Sequence, residues 1–368
     1  MPAFTVDETR IILNRRVLII GAGAAGLSAG VELLGRGFAV TILNAEPASE
    51  SSSWAGGGIL SPLLPWDYPD AVTRLALRAM QRYCSWLEHL RSLGGGSAEY
   101  WVCGLRVLDV PDPQSALSWA QAKCMAVKDC GHGVLELPEV AQVRNPRLLA
   151  SLRQAFLAAG GNLFENCPAR GIERDGRRFI GLATDQGKLA GDFCVISAGA
   201  YTGADTQAYP NCKLVRPIRG QMLLFRLPPG TLDTILYRDG LYVIPRQDGH
   251  ILVGSTIEDA GFDKSTDAVT AQRLHRAAAA LLPALAASQP IRHWAGLRPG
   301  SPDNIPLVGS HPDYENVYFN TGHYRYGLTM APASAELLAD LMTCKPPALD
   351  PSPYSWDAMY HRQWRDTL

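Results

Sequence analysis

The stretch Val17 to Gly26, V-L-I-I-G-A-G-A-A-G, limits what this chain can fold into more than any other. An apolar run, Val17 to Ile20, stops abruptly at G-x-G-x-x-G, with its glycines at Gly21, Gly23 and Gly26. Helix-compatible residues follow from Leu27 to Leu34 and end at Gly35 and Gly37. A buried strand, a tight turn and a helix N-terminus in that order make a dinucleotide site. Gly21 permits the turn, Gly23 lets the backbone approach a pyrophosphate, and Gly26 lets helix and strand pack closely. The helix start, with Ala24 and Ala25, presents unpaired N–H groups to the phosphates. A second strand reads Phe38 to Leu43, and an acid at its end should accept the adenosine ribose hydroxyls. Asn44 stands there instead, followed by Ala45 and Glu46, which leaves either Asn44 or Glu46 as the ribose contact.

At 368 residues the chain is too long for one simple core, so two domains are expected. A formal net charge of −1 and no basic tract argue against a nucleic-acid partner. The cysteines (84, 103, 124, 130, 167, 194, 212 and 344) are scattered without a C-x-x-C pair. They read as reduced core residues of a cytoplasmic protein, not as a disulfide framework or a metal site. The first fifteen residues carry Asp7 and Glu8 and lack a long apolar core, unlike a signal peptide. The longest apolar segment is the glycine-rich one, with Glu32 inside its helix, so no membrane span is expected.

Further along, Pro69 to Leu93 has one apolar face (Val72, Leu75, Ala76, Ala79, Tyr83, Trp86, Leu87, Leu90) and a stop at Gly94 to Gly96. Asn145-Pro146 reads as cap and first turn of a second helix running to Ala159. Strand signals follow at 162–165, 178–184 and 193–196, the last opening into a small-residue turn at Gly199. From Arg219 the texture turns to period two, at 222–227, 241–244 and 251–254, which predicts an antiparallel sheet. A helix is expected over 268–282, a strand over 314–321 and a last helix over 328–342. The fold expected is α/β: a Rossmann-like domain built from residues 1–95, 145–215 and 296–368. An antiparallel-sheet substrate domain, 96–144 and 216–295, would be interleaved with it.

Four segments together resemble the FAD-dependent amine and amino-acid oxidases of the D-amino-acid oxidase superfamily, and within it the glycine oxidases of thiamine (thiazole) biosynthesis. They are the N-terminal glycine motif, Ser51-Ser52-Ser53-Trp54-Ala55-Gly56-Gly57-Gly58-Ile59-Leu60, Gly296-Leu297-Arg298-Pro299 with Pro302-Asp303, and Gly322-His323-Tyr324-Arg325-Tyr326-Gly327-Leu328. The resemblance implies FAD contacts from Ser52, Ser53, Gly57, Gly58 and Ile59. It implies further contacts from Ala169, Gly199 and the turn His323 to Thr329, where backbone N–H groups and a helix N-terminus face the flavin pyrimidine oxygens. Glycines at 56–58 have no side chains, so the backbone there can lie against a flat ring.

An amino-acid oxidase must hold a carboxylate in a dry pocket, and a guanidinium does so bidentately. By resemblance that residue is Arg298, helped by Tyr242, while Arg325 contacts the amine through its backbone carbonyl. His323 reads as structural. No cysteine lies between Cys212 and Cys344, so a covalent flavin link near Gly296 is excluded and non-covalent FAD is expected. The resemblance implies a soluble oxidase for glycine and other small amines or D-amino acids, with dioxygen as second substrate and no membrane partner. It leaves a homo-oligomer open. Two competitors remain: a D-amino-acid dehydrogenase passing electrons to a quinone, and a flavin-binding module without turnover.

Overall fold

In the computed structural model, residues 14–47, 50–62, 64–204 and 214–364 are described; Asp7, Glu8 and Cys212 lie outside them. The strand Arg16–Ile20 is buried at four of its five positions because it sits mid-sheet. It pairs in parallel with Ala39–Asn44 on one side and Phe193–Ile196 on the other. Asn162–Glu165 extends one edge, and Val317–Thr321 then Leu307–Ser310 extend the other, giving six strands. Only the Leu307–Ser310 edge is antiparallel. Continuous apolar strands of this kind need cover on both faces. The helices Ala24–Gly35, Asp70–Ser92, Asn145–Ala158 and Gly327–Met342 provide it on one side. A three-stranded antiparallel sheet over residues 169–190 provides it on the other.

The second sheet has eight strands, antiparallel except where Ile235–Arg238 runs alongside Leu105–Val107. Its longest strands, Arg216–Arg226 and Arg292–Gly300, pair from end to end. A division of the chain at residue 296 therefore falls inside a strand. Period-two alternation splits this sheet's faces. Leu223, Phe225, Val243 and Val253 pack on the helix Ala268–Leu281. Met222, Tyr242 and Ile244 point the other way, into a second cluster.

Two expectations need correction. Most described cysteines are not core residues: Cys84, Cys124, Cys130 and Cys344 are exposed, Cys103 is half-buried, and only Cys167 and Cys194 are buried. None of these seven forms a disulfide with another described residue. Asn145 is not a side-chain cap either. Arg144 takes the cap position, and the Asn145 amide is turned away to donate to the Ser53 carbonyl at 2.7 Å. Among the described residues no helix is long and apolar enough to cross a membrane.

Candidate active site

A pocket of about 440 Å³ opens where the two sheets meet. Of the residues expected to touch cofactor or substrate, all line it except Gly26 and Thr329. Those two act from behind the wall. A Cβ on Gly26 would run into the Gly21 carbonyl, so its bare backbone is what lets helix and turn meet. The Thr329 hydroxyl donates to the Ile59 carbonyl at 3.1 Å and ties the helix Gly327–Met342 to the loop 56–60.

The first end of the pocket is built by the turn after Arg16–Ile20. Gly21 has φ +106°, a conformation open to glycine, and places Gly23 at the N-cap of Ala24–Gly35. No side chain caps that helix start in the usual way, although the Ala24 N–H donates to Ser53 Oγ at 3.0 Å. The Asn44 amide is engaged at both ends in this turn. Its Oδ1 accepts from the Ala22 N–H at 3.0 Å, and its Nδ2 donates to the Glu46 carbonyl. Glu46 accepts from the Tyr201 hydroxyl and from Lys264, each at 2.8 Å. Neither Tyr201 nor Lys264 carried a sequence signal, because nothing local marks residues that meet only through the tertiary fold.

The middle of the pocket is lined by the loop 56–59. Arg246, buried at the end of the strand Leu241–Pro245, holds this loop. It donates to the Gly57 and Val143 carbonyls, both at 2.9 Å, and to Gln142 Oε1. Burial pushes its pKa down to about 10, so it remains charged at neutral pH. In the sequence Arg246 carries no signal of this role, standing only at the end of an apolar strand. Across the pocket, the N-terminus of Gly327–Met342 also lacks a side-chain cap, and Gly327 and Leu328 lie on the wall. Two helix N-termini thus bring positive dipole ends to one cavity.

The far end collects Tyr242, Arg298, Tyr324, Arg325 and Tyr326. Arg298 lies over Gly220, where any Cβ would occupy the space of its guanidinium. Its Nη1 donates to the Thr256 and Arg219 carbonyls at 3.1 and 3.3 Å, and its Nη2 to Ser255 Oγ. No carboxylate among the described residues pairs with it. Burial lowers its pKa, yet a guanidinium stays protonated in proteins. The turn 322–326 is fixed to this segment by the Tyr324 N–H donating to the Pro299 carbonyl at 2.9 Å. Behind it, the Tyr326 hydroxyl donates to Tyr68, whose ring meets it edge-on at 5.0 Å. His323 is buried, and burial holds its pKa down to about 4, so the ring is neutral.

Five buried polar atoms on this wall have no partner: Ser197 Oγ, Asn145 Oδ1, Asn320 Oδ1, His323 Nε2 and Arg325 Nη2. Buried polar groups are normally satisfied, so these mark places for a ligand. With the glycine cradle and the two helix ends, they fit a dinucleotide as long as FAD.

A family model described as FAD dependent oxidoreductase (DAO) matches residues 16–341. The chain belongs to that family. Glycine oxidase of Pseudomonas aeruginosa is 41% identical over 359 residues, covering 93% of this chain and 99% of that one. The bifunctional protein ThiO/ThiG of Synechocystis is 32% identical over 342 residues, of which this chain spans 51% of the relative's length. The crystal structure of glycine oxidase from Geobacillus kaustophilus superimposes with a TM-score of 0.84 at 25% identity. That match covers 93% of this chain and 98% of the other.

Proposed function

We propose that this protein is an FAD-dependent glycine oxidase, acting on glycine and other small amines or D-amino acids. The observation that carries the reading is Arg298: a guanidinium on the pocket wall, held by two carbonyls and a hydroxyl but by no acid. A substrate carboxylate supplies the missing charge. Tyr242, fixed between Gly57 and Gly254, orients that carboxylate, and the Arg325 carbonyl takes the amine. The only described carboxylates on the wall, Glu46 and Glu50, belong to the other end. The substrate end is therefore cationic and favours substrates that carry a carboxylate over amines without one.

The chemistry supplied by FAD, when bound, is acceptance of a hydride from the α-carbon and delivery of both electrons to dioxygen, giving hydrogen peroxide. The chain's part is binding, orientation and electrostatics. Neutral His323 is a poor base for an ammonium group, so the substrate loses its proton to solvent before or as it enters. The two-electron oxidised product is an imine, which water converts to glyoxylate and ammonia. The relative named ThiO/ThiG supports a role in feeding thiazole synthesis for thiamine. No described cysteine lines the pocket, which supports non-covalent FAD. Described cysteines without a disulfide, four of them exposed, fit the reducing cytoplasm.

The test supplies glycine with air, then glycine with a quinone-like acceptor and no air. Oxygen-dependent peroxide with stoichiometric glyoxylate is expected. Turnover only with the artificial acceptor, or none with glycine, moves the assignment to a dehydrogenase of bulkier D-amino acids.

A further inference from the structure

The loop between the strand His250–Gly254 and the helix Ala268–Leu281 crosses to the first end of the pocket and brings Lys264 there. The Lys264 ammonium donates to Glu46 Oε2 at 2.8 Å, lies 3.6 Å from Glu50 Oε2, and stands 5.6 Å over the Tyr201 ring. Tyr201 closes the set: its hydroxyl donates to Glu46 Oε1 at 2.8 Å, and its ring stacks on Phe262 of the same loop at 5.1 Å. The loop is itself anchored. Arg219 donates to Asp263 Oδ2 at 2.6 Å and to Glu258 Oε2 at 2.8 Å, and the Ser265 N–H donates to Asp263 at 2.8 Å. Burial pulls the Lys264 pKa down, but Glu46 and Tyr201 outweigh it and hold it above its ordinary value.

We infer that Lys264 and Tyr201 form a clasp, contributed partly by the second sheet's half of the chain, that positions Glu46 as the adenosine-ribose acceptor of FAD. Asn44 has one lone pair left, since its Oδ1 already accepts from the Ala22 N–H, so it can serve one ribose hydroxyl and not two. Glu46 can serve both: a carboxylate offers about four lone-pair sites, and the clasp uses two of them, one on each oxygen. Held from outside by a cation and a phenol, the carboxylate keeps its remaining lone pairs for two ribose hydroxyls. Lys264 and Tyr201 are positioning residues, with no part in the reaction at the other end of the pocket. The inference rests on FAD occupying this pocket and not on which amine is oxidised.

The test titrates apoprotein with FAD and, separately, with riboflavin 5′-phosphate, which lacks the adenosine, using quenching of flavin fluorescence. Lys264→Met should weaken FAD roughly 5–30-fold, the factor that matches loss of about 1–2 kcal/mol of charge-assisted contact. It should leave riboflavin 5′-phosphate affinity unchanged. Tyr201→Phe should act in the same direction. In a Glu46→Gln background Lys264→Met should cost less than 2-fold. Lys264 is half-buried on the pocket side of an otherwise exposed loop, and circular dichroism of the apoprotein checks that the fold is retained. Equal weakening of both flavins, or unchanged FAD affinity, overturns the clasp. A full Lys264 effect in the Glu46→Gln background shows direct contact with FAD and overturns the positioning role. Failure of the wild type to bind FAD overturns the pocket assignment itself.

Discussion

Replacing Arg298 with alanine should separate binding of the acid from everything else the pocket does. The side chain makes three hydrogen bonds to protein, to the Thr256 and Arg219 carbonyls and to Ser255, and no ion pair with any described residue. Its removal leaves those acceptors in a cavity that water can enter, and it also removes a desolvated cation that lacked a countercharge. These two effects on stability oppose each other. The loss on substrate does not cancel. A charge-assisted contact to a carboxylate contributes about 1.5–3 kcal/mol, which corresponds to a roughly 10–150-fold loss in kcat/KM for glycine. Arg298→Lys keeps the charge but not the planar fork and should recover only part of this. Gly220→Ala keeps the guanidinium but displaces it, because the new Cβ occupies its seat. It should resemble Arg298→Ala in substrate preference. The assay is peroxide production with glycine and with ethylamine, a small amine without a carboxylate. Ethylamine oxidation, expected to be weak for want of a carboxylate, should be unchanged or improved in the alanine variant. An unchanged KM and kcat for glycine, or an equal loss on both substrates, would refute the carboxylate assignment.

Other outcomes follow from the same wall. His323 is buried neutral with a pKa of about 4, against about 6.5 when unfolded, so between those values the unfolded chain binds more protons. Stability should therefore fall as pH drops from about 6.5 through about 4, by about 3 kcal/mol in all, and His323→Gln should flatten that part of the curve in urea melts. A parallel pH dependence in both proteins counts against it. Gly26→Ala should cut FAD retention at least about 10-fold, since its Cβ cannot coexist with the Gly21 carbonyl; purified protein with full flavin absorbance contradicts this. Arg246→Met strands two buried acceptors, Gln142 Oε1 and the Val143 carbonyl, at about 1–3 kcal/mol each and the half-buried Gly57 carbonyl at less, offset by about 3 kcal/mol for no longer burying the cation. A Tm lower by a few degrees is expected by calorimetry, and an unchanged Tm would show that the loop 56–58 does not depend on it.

Local patterns determined much of this protein. The apolar run ending in G-x-G-x-x-G specifies its own strand, turn and helix, because neighbouring residues supply both the conformation and the packing. The helix predicted at 69–93 spans Asp70–Ser92, and its predicted apolar face is buried or half-buried. The period-two run beginning at Met222 reports which residues share a face, and the strand it marks is Arg216–Arg226. Arg298 and Arg325, which two of the four segments mark, and Tyr242, from a strand outside all four, line one pocket.

What stayed illegible depends on partners far apart in the chain. Nothing local in the chain separates Asn44 from Glu46 as ribose acceptor; the fold brings the Ala22 N–H to one and Tyr201 and Lys264 to the other. Asn145 reads as a cap by its neighbours, yet its amide serves Ser53, which lies 92 positions away. Arg246 sits at the end of an apolar strand, and only the approach of the loops at Gly57 and Val143 turns it into their common donor. A hydrogen bond across a sheet boundary leaves no periodicity and no spacing in the chain, since both partners are chosen by how two separately patterned surfaces dock. Sequence by itself determined the elements and the chemistry available to them; tertiary packing decided which donors remained free to meet a ligand.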